Sequence, residues 1–167
     1  IIFSEKAKKQ LEKLFPGSIV SVTGCSLKPF YSLTLSGIEL KKYPAYDFRI
    51  KEAEIRYNLF ALLRGKPLDQ IIHYADFKID SLRFQDFRLE NALLKVRQAP
   101  AGGELYISSI QYNKLKAQEI ISKIRWEGRR LRLDSLEADF LEGKLQGDFD
   151  FEIDKKREYS LHLKFLN

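Results

Sequence analysis

The chain repeats one irregular pattern of apolar residues, and this pattern limits the folds open to it. Residues 35–40, 50–55, 79–84, 107–112 and 133–138 each read apolar, two mostly polar residues, apolar, polar, apolar. Successive side chains of a strand point to opposite faces, so a strand with one buried face should alternate strictly in twos. One extra residue moves the apolar set to the other face unless a β-bulge absorbs it and bends the strand. We therefore predict bulges at comparable places in successive strands, and a curved antiparallel sheet that forms a trough.

Size and composition place this pattern in one globular domain. The 167 residues are enough for a single core, and 44% hydrophobic with 31% charged residues excludes a disordered chain. The predicted fold class is mostly β (α+β), with one domain over 1–167: a helical lead over 1–17 and the curved sheet over 18–167. The net charge of +6 is compatible with nucleic acid or an anionic membrane as a partner and does not choose between them.

The helical lead has an apolar and a basic side. Ser4 is a good N-cap, and Pro16 with Gly17 ends the helix. The apolar stripe consists of Ala7, Leu11, Leu14 and Phe15, and the lysines Lys6, Lys8, Lys9 and Lys13 crowd the remaining faces. A basic amphipathic helix of this kind lies on a membrane surface or packs across the end of a sheet, and the sequence leaves both open.

The start of the chain suggests a longer protein. It opens on Ile1, Ile2 and Phe3 and contains no Met. These residues fit the tail of a hydrophobic segment removed upstream and fit an ordinary buried helix start equally well, and the sequence leaves both open. No run in the chain itself approaches the roughly 18 apolar residues of a spanning helix.

The rest of the chain reads as successive strands with one short helix. Asn58 caps a predicted helix over 59–64, which Gly65 and Pro67 terminate, and the clearest loop lies near 98–103. Extended segments are predicted over 19–25, 31–40, 45–57, 71–84, 87–96, 105–117, 129–140, 143–153 and 159–165, whereas 118–124 fits a helical turn or a strand. From position 50 the irregular pattern recurs every 26 to 29 residues. Such a period predicts strand pairs added one after another.

The apolar positions of the repeats are the candidate lining of the trough. They are Phe48, Ile50, Ile55, Tyr57, Phe77, Ile79, Leu82, Phe84, Ile107, Ile110 and Tyr112. A trough with apolar walls removes acyl chains from water and needs no converging polar groups. The same residues would equally form a closed core between a sheet and its helices. The repeated break in the strand alternation is what favours the trough.

A basic cluster follows in the second half of the chain. Its members are Lys123, Arg125, Arg129, Arg130 and Arg132, with Trp126 among them. Three interpretations stay open: a contact for anionic lipid headgroups, a solvated strand face around a partly buried Trp126, and a nucleic-acid surface on which arginine and an aromatic ring bind phosphate and base. Nothing like an RNP motif accompanies the cluster, which disfavours nucleic acid.

Catalytic chemistry is poorly supplied. The chain has His73 and His162 as its two histidines and Cys25 as its lone cysteine, so neither a catalytic triad nor a zinc cluster is indicated. Asp148 and Asp150 lie on one face of a predicted strand and fit a solvated surface better than a catalytic pair. We expect no enzymatic activity, no metal and no cofactor.

Three segments, in the order in which they follow one another along the chain, resemble one protein family. A strand over 32–40 is followed by a strand over 50–57 that runs into Leu59-Phe60-Ala61-Leu62-Leu63-Arg64-Gly65-Lys66, of the form L-x-x-L-L-x-G-K. Residues 131–147 are similar to a recurring hairpin with turn glycines at Gly143 and Gly147. This order resembles the AsmA-like proteins of bacterial envelopes, which are related to the bridge-like, chorein-type lipid transfer proteins.

The resemblance implies a protein that is anchored in the inner membrane and faces the bacterial periplasm. It implies a β-groove that binds or conducts phospholipid acyl chains and supports lipid transport or outer-membrane maintenance. The expected partners are phospholipid, a membrane surface reached through the N-terminal segment, and other envelope proteins. The alternative is a non-catalytic structural subunit of an envelope complex that docks a partner by its sheet edges.

Overall fold

The fold was analysed in a computed structural model. The structure describes residues 5, 8–9, 11–13, 15–28, 30–66, 68–98, 102–127, 130–152 and 159–166.

The described residues form one antiparallel sheet in which the strands follow the order of the chain from β1 to β10. The strands are β1 Ile19–Lys28, β2 Ser32–Lys42, β3 Tyr46–Tyr57, β4 Ile72–Phe84, β5 Phe87–Arg97, β6 Gly102–Tyr112, β7 Leu115–Glu127, β8 Arg130–Phe140, β9 Gly143–Glu152 and β10 Tyr159–Leu166. The predicted mostly β class and the successive addition of strand pairs are therefore confirmed. The ambiguous segment 118–124 is part of β7.

Two short helices, α1 Leu59–Leu63 and α2 Leu68–Ile71, connect β3 to β4. The predicted N-cap is confirmed, because Asn58 Oδ1 accepts a hydrogen bond from the Ala61 amide at 3.1 Å. Gly65 follows α1 with a left-handed φ of +63°. The sequence did not indicate α2, since a single helical turn is too short to give a periodic pattern.

The N-terminal helix is described only in part. Residues 5, 8–9 and 11–13 are helical, and residues 16 and 17 form a turn where the helix was expected to end. The proposed cap Ser4, the stripe residues Ala7 and Leu14, and the opening residues Ile1 to Phe3 lie outside the described residues.

Two segment boundaries were predicted wrongly. The extended segment 105–117 is interrupted by a turn at Asn113 and Lys114, and Asn113 has a left-handed φ of 54°. An Asn-Lys pair without glycine is a weak turn signal, so the sequence did not separate β6 from β7. The predicted loop near 98–103 ends earlier than expected, because Gly102 and Gly103 already belong to β6. At Gly103 a Cβ would overlap the carbonyl oxygen of Lys95 on β5, so this glycine permits a close approach of backbones instead of making a turn.

The irregular repeats coincide with a break in strand pairing. Pairing of β5 with β6, for example, passes from Glu90–Ser109 to Ala92–Ile107 and skips Asn91 and Ser108. The residues skipped in this way on β1 to β6 are Thr23, Gly37, Lys51, Asp80, Asn91 and Ser108. Pairing of β7, β8 and β9 is more irregular, and Glu119 and Ser135 are among the residues skipped there. Half of them, Gly37, Asn91, Glu119 and Ser135, have left-handed φ angles between 48° and 58°. We call these eight residues the slip line; it crosses the sheet from strand to strand.

The slip line keeps the apolar residues on one face. Ile107 and Ile110 are separated by three positions, which in a regular strand would place them on opposite faces. Both nevertheless pack in the same hydrophobic cluster. Register shifts of the kind that a β-bulge produces occur between β3 and β4, β7 and β8, and β8 and β9, so the predicted bulges are confirmed there. The other breaks leave one residue unpaired on each strand without a change of register, and the curvature of the sheet stays a prediction.

Candidate functional site

One face of the sheet carries a continuous apolar surface. Its first cluster is built around Val20, Ile38, Leu40 and Ala53, and its second around Ala92, Ile107, Ile120 and Ala138. We call the surface formed by these two clusters and the residues packed against them the apolar face. The first cluster lies on β1 to β4 and the second on β4 to β9, so together they extend across nearly the whole sheet.

Cross-strand pairing aligns the apolar residues in rows that run perpendicular to the strands. One row passes through all ten strands: Leu27, Leu33, Ile55, Ala75, Val96, Gly103, Ile124, Leu133, Phe149 and Leu161. Every member is apolar or glycine. Adjacent strands lie about 4.8 Å apart, so a row across the sheet is about 43 Å long.

The structure brings together most of the predicted lining residues. Phe48, Ile50 and Phe77 pack against the first cluster, and Ile79, Ile107 and Ile110 belong to the second. Leu82 pairs with Phe48 and with Leu89, which extends the surface between the two clusters.

The remaining predicted lining residues lie towards the two ends of the strands. Ile55 belongs to the row that crosses all ten strands, and Tyr57 pairs with Ile72 beside a register shift. Near the hairpin turns, Phe87 is the cross-strand partner of Phe84 on one side and of Tyr112 on the other. Phe84 and Tyr112 are both about half exposed. They are therefore at the margin of the apolar face.

The apolar face has little cover in the described part of the chain. Among the residues that pack against the two clusters, Leu11 alone lies outside the strands. The larger contacts between elements join neighbouring strands, α1 to α2, and α2 to β4. A sheet with one apolar face normally buries it against a second layer, so this face requires an occupant.

The sequence interpretation missed the part of the face formed by β9 and β10. Leu145 packs against the second cluster. Leu161, Leu163 and Phe165 on β10 alternate strictly and pair with Phe149, Gly147 and Leu145. This regular alternation was a sufficient signal, but it lies outside the irregular repeats from which the lining residues were predicted.

The opposite face carries ion pairs, and we call it the charged face. Its pairs include Lys41–Glu39, Arg49–Asp47, Arg56–Glu54, Lys78–Glu52 and Lys144–Asp139. Hydrogen bonds to these carboxylates, followed by charge attraction, raise the pKa values of Arg49, Lys78 and Lys144. Burial, and then a hydrogen bond to Asp76, raises the pKa of Tyr74. These cations are thus held in pairs with neighbouring carboxylates.

The predicted basic cluster lies on the charged face and is partly neutralised. Asp134, whose side chain is only 10% exposed, lies between Arg132 Nε at 2.6 Å and Arg125 Nε at 2.5 Å. The contact of Asp134 Oδ2 with Arg125 lacks hydrogen-bond geometry and is an ion pair only. Arg130 Nε donates to Asp150 Oδ1 at 2.8 Å.

A small cavity of about 60 Å³ lies among Arg125, Arg130, Arg132 and Asp150. Lys123 is exposed nearby, whereas Arg129 and the Trp126 side chain lie outside the described residues. The two aspartates considered as a catalytic pair have structural contacts: Asp150 binds Arg130, and Asp148 accepts a hydrogen bond from the Ser135 amide at 3.2 Å.

A shallow apolar depression interrupts the charged face. Leu93, Tyr106 and Ile121 are paired across β5, β6 and β7, and Lys95, Glu104 and Lys123 surround them. The depression has a volume of about 250 Å³.

Neither a metal centre nor a membrane-spanning helix is found in the described part of the chain. No group of three or more His, Cys, Asp or Glu side chains there is arranged to hold a metal ion. No described helix has the length and hydropathy needed to cross a bilayer.

Comparisons with known proteins return no match: no family model, no curated protein and no solved structure is significantly similar to this chain.

Proposed function

We propose that this chain binds or conducts the acyl chains of phospholipids along the apolar face, as an AsmA-like module of the bacterial envelope. In this proposal it faces the periplasm and is held at the inner membrane by a segment upstream of Ile1. It has no catalytic role, and it supports lipid transport or outer-membrane maintenance.

The observation that carries the proposal is an apolar face that spans the sheet with Leu11 as its one described contact from outside the strands. An apolar sheet face without a second layer is a site for a partner, a membrane or a ligand. Acyl chains fit an extended, sequence-tolerant surface, because they require apolar area and no particular hydrogen-bonding groups. Each buried methylene contributes about 0.8 kcal/mol, so ten methylenes supply about 8 kcal/mol before the entropic cost of binding.

The slip line gives the proposed groove its direction. Bulges bend strands, and register shifts of this kind lie on the slip line between β3 and β4, β7 and β8, and β8 and β9. A bend at each would curve the sheet about an axis perpendicular to the strands, with the apolar rows along the groove.

A bilayer core of about 30 Å holds two opposed acyl chains, so one chain reaches about 15 Å. The row of about 43 Å would then accommodate acyl chains end to end.

The test is native mass spectrometry of the protein purified without detergent, followed by lipid extraction. We expect bound phospholipid in a stable ratio, and a large loss of it in Ile79→Asp and Ile110→Asp, which place a charge in the second cluster. Ile121→Asp is the matched control, because Ile121 is 55% exposed on the charged face. Circular dichroism checks that each variant is folded. A lipid-free wild type, or an equal loss in the Ile121 variant, would contradict the proposal.

A second candidate is the structural subunit, and the β10 edge favours it. In the described residues β10 pairs with β9 alone, so its outer backbone groups are available to a further strand. In this candidate a strand of a partner protein extends the sheet at β10 and covers Leu161, Leu163 and Phe165. A lipid-free protein whose β10 amides become protected from hydrogen exchange on adding an envelope partner would favour this candidate over lipid binding.

A further inference from the structure

A second exposed apolar surface lies at the corner of the sheet where α1 follows β3. Phe30, Phe60, Leu62 and Leu63 are each between 49% and 76% exposed. Three of them belong to a single five-residue helix, and none belongs to the apolar face. We call these four residues, together with the cations described below, the α1 corner.

Backbone contacts hold the parts of the corner at the same end of the sheet. The Tyr57 amide, directly before α1, donates to the Tyr31 carbonyl oxygen at 3.0 Å. The Arg56 guanidinium lies 5.4 Å from the centre of the Tyr31 ring and 5.1 Å from that of Tyr74. The turn that carries Phe30 is therefore fixed to the strand that leads into α1.

The cations of the corner differ from those of the charged face. Lys28, Arg64 and Lys66 are exposed. Within the described residues, no carboxylate lies within 4.0 Å of their charged groups, whereas the arginines of the basic cluster contact Asp134 or Asp150. Among the side chains that the structure describes, the corner thus combines protruding apolar groups with cations that have no carboxylate within ion-pair distance.

From this combination we propose that the α1 corner docks the protein on an anionic lipid bilayer. Phe60, Leu62 and Leu63 enter the boundary between headgroups and acyl chains, and Lys28, Arg64 and Lys66 contact anionic headgroups. Exposed aromatic and aliphatic side chains beside lysine and arginine are typical of surfaces that lie in the membrane interface. The positive charge complements an anionic partner, and the protruding apolar side chains fit the interior of a lipid surface better than the polar surface of an acidic protein.

This docking is independent of the proposed lipid groove. The α1 corner shares no residue with the two clusters of the apolar face, so adsorption to a bilayer does not require acyl chains on that face. The corner is also separate from the N-terminal segment, through which a membrane contact was expected from the sequence.

The test is flotation of the purified chain with vesicles of phosphatidylcholine alone and of phosphatidylcholine mixed with phosphatidylglycerol. We expect binding to the anionic vesicles that weakens with added salt. Each cation near an anionic surface contributes about fivefold to binding, so Arg64→Gln with Lys66→Gln should weaken it about 25-fold. Phe60→Ser with Leu63→Ser should weaken it by about tenfold or more, because both apolar anchors are lost.

The matched control is Tyr43→Ser with Leu141→Ser. These residues are 99% and 73% exposed on hairpin turns at the opposite end of the strands. We expect this variant to float like the wild type. A wild type that stays with the unbound fraction, or a control that loses as much binding as the corner variants, would overturn the proposal. Lipid extraction of the corner variants separates the two proposals, since lipid on the apolar face should be retained when flotation is lost.

Discussion

The two edge strands of the sheet both contribute apolar side chains to the same face, but only one of them is covered. On β1, Val20 is 4% exposed, and the N-terminal segment supplies Leu11 to the cluster that contains it. On β10, Leu161, Leu163 and Phe165 are between 45% and 52% exposed. Each strand has a single neighbour in the described sheet, so strand pairing does not explain the difference. The difference between the two edges coincides with Leu11, which contacts the cluster at β1, whereas every described residue that packs against the second cluster lies in a strand.

The comparison divides the molecule into a closed and an open end. The closed end resembles an ordinary core, in which helix and sheet bury one another. The open end has the same kind of side chains without that cover, which is why the lipid and partner proposals both concern it. The following experiments test this division, in order of decreasing effect.

The largest difference is expected between identical truncations at the two ends. Leu40→Ala removes a side chain that is 3% exposed, and should lower the free energy of unfolding by about 3 kcal/mol. Leu163→Ala removes one that is 48% exposed and should cost about 1 kcal/mol or less. Denaturation by urea measures both. Equal losses would mean that β10 is as well covered as β2, and the division would be wrong.

A smaller effect is expected where the slip line enters the closed end. Gly37 has a left-handed φ of +58°, and a Cβ there would overlap Thr23 Oγ1 on β1. Gly37→Ala should therefore destabilise the protein by about 2 kcal/mol. Asn91 has a similar φ of 49° further along the slip line, so Asn91→Gly relieves strain and should be neutral or stabilise by up to about 1 kcal/mol. The midpoint of thermal unfolding should fall for Gly37→Ala and should stay unchanged or rise for Asn91→Gly. A Gly37→Ala variant as stable as the wild type would contradict the close approach of Gly37 to Thr23.

The smallest effect concerns the charged face behind the open end. Asp134→Asn removes the shared partner of Arg125 and Arg132 at a nearly buried position and should cost about 1 kcal/mol. Asp47→Asn breaks the more exposed pair with Arg49 and should cost a few tenths of a kcal/mol. Urea denaturation at low and high salt compares the two. A cost for the Asp47 variant as large as that for Asp134 would indicate that Asp134 does not organise the basic cluster.

Much of the fold could be predicted because strand patterns are local. The alternation of apolar residues located the strands, the repeated phase slip located the slip line, and Asn58 located the start of α1. The turn at Asn113 and Lys114 was missed because its residues carry a weak local signal. Gly102 and Gly103 were taken for a loop because glycine suggests a turn, whereas the approach of Lys95 from the neighbouring strand is a tertiary fact.

The candidate site was predictable to a similar degree. The irregular repeats identified residues such as Ile79 and Ile110, which do join one cluster. They did not identify β10, whose apolar residues alternate regularly and so fell outside the pattern followed. The neutralisation of Arg125 and Arg132 by Asp134 was also not foreseen, since it depends on how β7 and β8 align.

By itself the sequence determined the class of the fold, the order of the strands and the positions at which five of the strands break their alternation, because each is encoded within a few neighbouring residues. Only the tertiary structure decided which side chains lie in one row, which cations have counter-ions and which edge is covered. These features join residues far apart in the chain, and burial is set by the elements that pack above a face. The half-exposed Leu163 and the buried Leu40 are the same residue type, but Leu163 lies on the edge strand β10 and Leu40 lies on β2 between β1 and β3. Their different burial is set by the elements that surround them and not by their local sequence.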